Sequence, residues 1–142
     1  MENSTNRPVD RHAVHALRSG VVDVYFPGVL PPVHTLLRVG NEKQVAVEII
    51  THLDEHIARG IVLHPPQGLS RGDPVENTGH PIRIPVGDEI TGRVFNVFGE
   101  TVDGGKAPKN TISRSIHPTP VAPSRQIASE EIFETGIKAI DV

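Results

Sequence analysis

The chain contains no cysteine and no tryptophan, and it has only four phenylalanines and one tyrosine among its 142 residues. Without cysteine there is no disulfide framework, thiolate zinc site or thiol nucleophile, and nothing indicates an oxidising compartment. Because aromatic side chains are few and the formal charge is −3, the chain lacks the stacking platforms and basic surface that bind nucleic acid. We therefore expect no nucleic-acid partner.

Long apolar runs are also missing. The first residues, MENSTNRPVDRH, are polar and do not resemble the apolar segment of a signal peptide. No later run approaches the ~20 apolar residues that a membrane-spanning helix needs. These features predict a cytoplasmic or organelle-interior location without direct membrane contact, and the length suits one ordinary domain with a real core.

Thirteen glycines and thirteen prolines divide the chain into short elements, which favours β structure. The segment VVDVYF alternates, with Val22, Val24 and Phe26 on one face, and KQVAVEIITHL alternates over a longer run. About six short strands at regular spacing over residues 11–87 predict a small closed β-barrel. Residues 1–10 are expected to be a flexible N-terminus.

From Asp88 the pattern changes. The segment DEITGRVFNVFG predicts a helix, because its apolar residues recur at helical spacing and its first residues are acidic; those apolar residues are Ile90, Val94, Val97 and Phe98. Residues 107–124 form a proline-rich extended connection. The apolar residues near the end of the chain are expected to pack poorly, because they lack a partner layer; they are Ile127, Ile132, Phe133, Ile137 and Ile140.

One motif suggests metal chemistry. His52, Glu55 and His56 form H-x-x-E-H, a zinc-binding and general-base pattern when both histidines lie on one face of a helix. Here both flanks alternate with period two and are rich in β-branched residues, which predicts a β-hairpin. We therefore interpret these residues as solvated hairpin side chains, with the two histidines at the ends of opposing strands and Glu55 at the turn.

The other candidate motifs are incomplete. Lys106 follows Gly105, but a phosphate loop would require glycine at Glu100 and serine or threonine at Ala107, so DGGK is interpreted as a turn. The serines lack the G-x-S-x-G context of a nucleophile elbow, and the remaining histidines show no better metal-ligand spacing than His52 and His56. No catalytic, cofactor-binding or metal-ligating residue is predicted.

The chain resembles the N-terminal third of the catalytic β subunit of F-type ATP synthases, from about residue 12 to residue 142. Several spaced elements appear in the family's order: Gly68-Leu69, Arg71-Gly72, Thr78-Gly79, Pro81-Ile82, Pro85-Val86-Gly87 and Gly92-Arg93-Val94-Phe95-Asn96-Val97. The segments GVVDVYF, LPPVHTLL, VEIITHL and ETGIKAID, with Ile116-His117, continue the similarity. The non-catalytic α subunit and the flagellar export ATPase share GRVxNxxG, whereas VVDVYF…LPP and ETGIK favour the β type.

The sequence also departs from this family at three places. Phe98 stands where leucine is usual, Ser19 where proline is common, and HPPQGL precedes the GLSRG turn. The resemblance implies a six-stranded barrel, followed over residues 88–142 by the incomplete start of an α/β nucleotide-binding domain. The family's phosphate loop and catalytic residues match no position here, so ATP or ADP and Mg²⁺ are cofactors of the intact subunit only.

The resemblance further implies a role in assembly. In the family, barrels of α and β subunits form a ring that holds the hexamer of a proton- or sodium-translocating ATPase together, peripheral to the membrane. We therefore expect an N-terminal fragment or truncated paralogue that contacts α subunits and is inactive alone. The alternative is a free-standing OB-like barrel that binds oligonucleotide or oligosaccharide.

Overall fold

The computed structural model describes residues 11–63, 68–126, 132 and 134–141. The N-terminus predicted to be flexible, residues 1–10, lies outside the described residues. Within these ranges the chain forms eight strands: β1 Ala13–Arg18, β2 Val21–Tyr25, β3 Thr35–Val39, β4 Val45–His52, β5 Ile57–Val62, β6 Val75–Pro81, β7 Arg83–Val86 and β8 Ile112–Ser115. Two short 3₁₀ helices lie at Asp88–Ile90 and Pro123–Arg125.

The first six strands form one antiparallel sheet in the order β1-β2-β5-β4-β3-β6. Ser19 and Gly20 connect β1 to β2, and both have positive φ angles, of 42° and 90°. Asp54 stabilises the β4–β5 turn, because its Oδ1 accepts hydrogen bonds from the backbone nitrogens of His56 and Ile57, both at 2.7 Å. The mainly β architecture is confirmed, and the hairpin predicted around His52 and His56 is formed by β4 and β5.

The main core lies on one face of this sheet. Val22, Val24 and Phe26 are fully buried, as the alternation of VVDVYF predicts. They pack with alternate residues of the neighbouring strands and with small side chains that complete the cluster: Val14, Leu37, Val39, Val45, Val47, Ile49, Ala58 and Val75. Burial of these aliphatic side chains is the main source of stability.

A second, smaller cluster covers part of the opposite face of β3 and β4. Leu36, Ala46 and Ile82 are buried there, and Leu63 and Phe98 pack against them. The strand β4 is therefore covered on both faces along its first half, with Val45 to Ile49 all buried. This second layer places Glu48, a polar position of the alternating pattern, inside the molecule.

The two outer strands of the sheet, β1 and β6, meet at a short seam. Ala13 forms a single antiparallel bridge with Pro74. Backbone hydrogen bonds join Val14 N to Asp73 O (3.0 Å), Gly72 N to Val14 O (2.8 Å) and Val75 N to His12 O (3.1 Å). A continuous ladder that would close the predicted barrel is not shown, since β1 and β6 are not paired strand to strand and Pro74 has no N–H to donate.

The prediction of a helix after Asp88 is wrong. Only Asp88–Ile90 forms a short 3₁₀ turn, and Val94 and Val97 are exposed rather than aligned on a buried face. Gly92 has a φ of 73°, a left-handed conformation that interrupts a right-handed helix. No α-helix occurs among residues 11–63, 68–126, 132 and 134–141, so these residues do not show the start of an α/β domain.

Beyond the six-stranded sheet, β7 pairs with β8 in a separate two-stranded sheet. Apolar side chains in this part of the chain are exposed, including Val102, Ile112 and Val121. Ile132, Ile137 and Ile140 are exposed as expected, whereas Ile127 and Phe133 lie outside the described residues. No helix in the described part of the chain is long and apolar enough to cross a membrane.

Candidate functional site: one carboxylate shared by two histidines

Three side chains from distant parts of the chain meet beside the second apolar cluster. Glu48 lies on β4, opposite Leu36 of β3 and Ile61 of β5. His34 directly precedes β3, and His117 follows the last residue of β8 by two positions. We refer to His34, Glu48 and His117 as the His–Glu–His cluster.

Both histidines contact the same carboxylate oxygen. Nδ1 of His34 lies 3.0 Å from Glu48 Oε1, and Nε2 of His117 lies 2.7 Å from that atom. The two imidazole rings stack, with centroids 3.8 Å apart and an angle of 19° between their planes. The Glu48 side chain is 11% exposed, compared with 47% for His34 and 36% for His117. The cluster therefore has a buried carboxylate and an imidazole rim, formed by the rings of His34 and His117, that is partly open to solvent.

These contacts determine the chemistry available to Glu48. Burial of a carboxylate is costly unless hydrogen-bond donors replace the lost water, and two imidazole N–H groups supply that replacement. An ionised Glu48 accepts both bonds only when His34 carries its proton on Nδ1 and His117 carries one on Nε2. The ligand atoms of the three residues all lie within 4.8 Å of one another, so the cluster brings together two imidazoles and a carboxylate.

The backbone holds both histidines in place. His34 adopts a left-handed conformation, with a φ of 71°, and its backbone nitrogen donates to Ile49 O at 2.7 Å. Such a φ is uncommon for a residue other than glycine and must be stabilised by its surroundings. On the other side, Ile116 N donates to Ile82 O at 3.1 Å and His117 N donates to Ser115 Oγ at 3.0 Å. The first bond attaches the segment after β8 to the residue that directly follows β6, and the second shapes the segment itself.

The structure places His52 and His56 on a hairpin, as predicted, and not on a helix. His52 is paired with Ala58 across the β4–β5 ladder, and His56 lies in the turn directly before β5. The His52 ring donates from Nε2 to Pro31 O at 2.8 Å, and the His56 ring contacts Tyr25 with centroids 5.9 Å apart. The residues His52, Glu55 and His56 are all exposed, and the helical zinc geometry is not formed.

The DGGK segment forms a turn, as interpreted from the sequence. Asp103 accepts hydrogen bonds from Gly105 N at 2.9 Å and Val94 N at 3.2 Å, and Arg93 binds both of its oxygens, at 2.6 and 2.9 Å. The hydrogen bond from Arg93, followed by those from the backbone, holds the pKa of Asp103 well below its usual range. Lys106 presents its carbonyl to Arg93 at 3.0 Å, so its backbone contributes to this loop.

The His–Glu–His cluster has no signature in the local sequence. The prediction that the remaining histidines show no better metal-ligand spacing than His52 and His56 rests on local spacing, and it does not consider His34 and His117, which the fold brings together with Glu48. Because Glu48 is 14 residues from His34 and 69 from His117, no local spacing could reveal the cluster. The one available signal was a glutamate in an otherwise apolar strand, VAVEII.

Comparison with known proteins identifies the family. A family model described as the ATP synthase alpha/beta family, beta-barrel domain, matches residues 20–79. The chain belongs to this family. It is 46% identical over 134 residues to ATP synthase subunit beta 1 of Marinomonas sp. (strain MWYL1), covering 91% of this chain and 27% of that protein.

Two further relatives give the same result. ATP synthase subunit beta 2 of Shewanella frigidimarina is 42% identical over 142 residues, which are 100% of this chain and 30% of that protein. The subunit beta 2 of Nitrosomonas eutropha is 47% identical over 126 residues, covering 89% of this chain and 25% of that protein. The chain is therefore similar to the N-terminal part of ATP synthase β subunits and spans less than a third of their length.

The sequence elements that resemble ATP synthase β subunits make contacts that connect different parts of the fold in this chain. Thr78 donates from Oγ1 to Leu36 O at 2.7 Å and so attaches β6 to β3. Arg93, within GRVFNV, organises the loop that contains Asp103. Phe98, which replaces the usual leucine, packs against the second apolar cluster, and the Arg38 guanidinium lies 5.3 Å from its ring centroid.

Proposed function

We propose that this chain is the N-terminal part of an ATP synthase β subunit and that its sheet domain holds the subunit beside α subunits in the hexamer of a rotary ATPase. The observation that carries the proposal is the 42–46% identity to β subunits over 91–100% of the chain. In this proposal residues 11–87 form the barrel domain and residues 88–142 begin the nucleotide-binding domain. ATP or ADP and Mg²⁺ bind to the intact subunit, which makes or hydrolyses ATP.

The proposal includes closure of the sheet into a barrel. The seam between β1 and β6 supports closure, because its bridge and three backbone hydrogen bonds already join the outer strands. A closed sheet has no free edge to pair with other chains and resists shear, which suits a domain that holds neighbouring subunits together. Packing at the outer surface would then determine which subunits assemble.

Exposed apolar side chains offer a surface for such packing. On the six-stranded sheet and its loops, Val29 is 96% exposed, and Ile50, Leu53 and Ile61 are exposed to a lesser degree. Because these side chains remain exposed to water, they contribute little to the stability of the isolated chain. Burial against a neighbouring subunit would release water from them and favour association.

The test is assembly with an α subunit. The purified chain and the α subunit from the same organism are mixed, and complex formation is measured by size-exclusion chromatography with light scattering. A stable complex is expected, and it should be weakened by Leu53→Ser with Ile50→Thr but not by the control Gln44→Ala. Failure to associate, where the organism's intact β subunit does associate, would contradict the proposal.

The proposed ion coupling and ATP chemistry belong to the whole complex, with the subunit peripheral to a membrane and in the cytoplasm or an organelle interior. A complementary assay measures ATP hydrolysis by the 142-residue chain alone. We expect none, because no catalytic residue of the family was matched in its sequence. A rate of ATP hydrolysis comparable to that of an intact enzyme would contradict the proposal that catalysis requires the rest of the subunit.

A further inference from the structure

We propose that the His–Glu–His cluster is a binding site for a divalent transition-metal ion, with Zn²⁺ as the test ion. His34, Glu48 and His117 provide the ligands, and the ion would join the segment after β8 to strand β4. The proposal rests on the geometry of these three side chains and is independent of the proposed function in subunit assembly.

The ligand types fit such an ion. Imidazole nitrogen and carboxylate oxygen bind Zn²⁺ at about 2.0–2.2 Å, and two histidines with one glutamate form a known three-ligand zinc set. Two ligands of one tetrahedral zinc lie roughly 3.3 Å apart at these bond lengths. The cluster has nitrogen-to-oxygen distances of 3.0 and 2.7 Å, and all its ligand atoms lie within 4.8 Å. Small side-chain rotations are therefore sufficient to bring all three to one ion.

The second oxygen of Glu48 provides an independent observation. Both histidines bind Oε1, and within the described part of the chain Oε2 has no hydrogen-bond donor, although the side chain is only 11% exposed. Buried carboxylate oxygens in proteins usually have a partner. A metal ion beside the carboxylate would neutralise its charge and displace the two hydrogen bonds without leaving either histidine unpaired.

The surroundings of the cluster also fit a metal site. Glu48 lies opposite Leu36 and on the same face of β4 as Ala46, two residues of the second apolar cluster, and a low-polarity environment strengthens attraction between a cation and a carboxylate. The imidazole rim is partly exposed, so an ion can enter from solvent and keep water as its fourth ligand. His34 adopts a left-handed backbone conformation, with a φ of 71°, and in this conformation its Nδ1 lies 3.0 Å from Glu48 Oε1.

Zinc binding is measured by isothermal titration calorimetry on tag-free protein that has been treated with a chelator. We expect one zinc per chain. His34→Gln and His117→Gln should each weaken binding by more than about 100-fold, since even outer-shell partners of zinc ligands change affinity about 10–100-fold. Glu48→Gln keeps the side-chain volume and removes the charge, and it should weaken binding similarly. Thermal denaturation without metal verifies that each variant is folded.

His52→Gln is the matched control, because it removes the histidine of the H-x-x-E-H motif and leaves the cluster intact. It should bind zinc as the unchanged chain does. Loss of binding in His52→Gln with retention in His34→Gln and His117→Gln would overturn the proposal and assign zinc to the hairpin. Absence of stoichiometric binding by the unchanged, folded chain would also overturn it.

Amide hydrogen exchange provides a readout that is specific to the proposed connection. Zinc should slow exchange over residues 112–117 and near His34 in the unchanged chain, because the ion would join these segments to β4. Addition of zinc to the Glu48→Gln variant should leave amide exchange in these two segments unchanged. Protection confined to residues 52–58 would contradict the assignment.

Discussion

Asp23 of β2 and Arg59 of β5 lie directly opposite each other and form an ion pair with two hydrogen bonds. Nε of Arg59 donates to Oδ1 of Asp23 at 2.7 Å, and Nη2 donates to Oδ2 at 3.0 Å. The pair lies on the face opposite to Val22 and Val24, and the Asp23 side chain is only 15% exposed. The hydrogen bond from Arg59, helped by its charge, lowers the pKa of Asp23 despite the opposing effect of burial.

Asp23→Asn should therefore reduce stability by about 1 kcal/mol at pH 7, the upper range for a cross-strand charged pair. A lowered folded-state pKa means that the stabilisation is present above the unfolded pKa, near 3.9, and is lost as pH falls through the folded value. The difference between Asp23→Asn and the unchanged chain should shrink below about pH 4. Urea unfolding at several pH values measures it, and a difference that persists in strong acid would contradict this assignment.

Gly60 should tolerate no side chain. A Cβ at this position would lie 2.7 Å from Glu48 O and against the Val47 side chain, and the backbone of β4 cannot move without disturbing the core. Gly60→Ala should therefore cost about 1–3 kcal/mol. Gly28→Ala is the control, because nothing lies within 4 Å of the added atom. Thermal denaturation compares the two, and equal melting temperatures would show that the approach of β5 to β4 is looser than described.

Ile49 and Ile50 provide a matched test of which face of β4 is buried. Ile49 is fully buried in the main core, whereas Ile50 is 42% exposed. Ile49→Val should cost about 0.5–1.5 kcal/mol, and Ile50→Val should be nearly neutral. Chemical denaturation of both variants measures the difference. A larger loss from Ile50→Val would indicate that the register of β4 is shifted by one residue.

Asp103→Asn should disturb the loop from residue 93 to residue 106 and leave the six-stranded sheet intact. The substitution removes the charge that Arg93 binds and weakens the bonds to two backbone nitrogens. Because the pKa of Asp103 is strongly lowered, this stabilisation should persist until the solution is strongly acidic. Faster amide exchange at Val94 and Gly105 is the expected result, with the exposed Asp88→Asn as the control. Faster exchange throughout β2 and β5 would instead show that the loop supports the whole fold.

The strands of residues 11–63 could be predicted because the signals for them, alternation of apolar residues and turn residues, lie within short segments of the sequence. Alternation places Val22, Val24 and Phe26 on one face, and Ser19-Gly20 marks the turn. The prediction of a helix after Asp88 was wrong because the helical spacing of apolar residues does not reveal the left-handed conformation of Gly92.

The candidate site could not be predicted in the same way. Alternation places Glu48 on the solvent face of β4, and tertiary contacts that involve Leu63, Ile82 and Phe98 cover part of that face. The proximity of His34 and His117 likewise depends on how β7 and β8 connect to the larger sheet. Burial and proximity of this kind arise from contacts between residues far apart in the chain, which no local window contains.

The seam between β1 and β6 has a kinetic consequence. It joins residue 13 to residue 74, so its formation closes a long loop, whereas the hairpins β1–β2 and β4–β5 need only short ones. We therefore expect the hairpins to form before the seam during folding. In the folded chain we expect these few hydrogen bonds to open more readily than the continuous ladders, and each opening would expose the edges of β1 and β6 to strand addition by a neighbouring molecule.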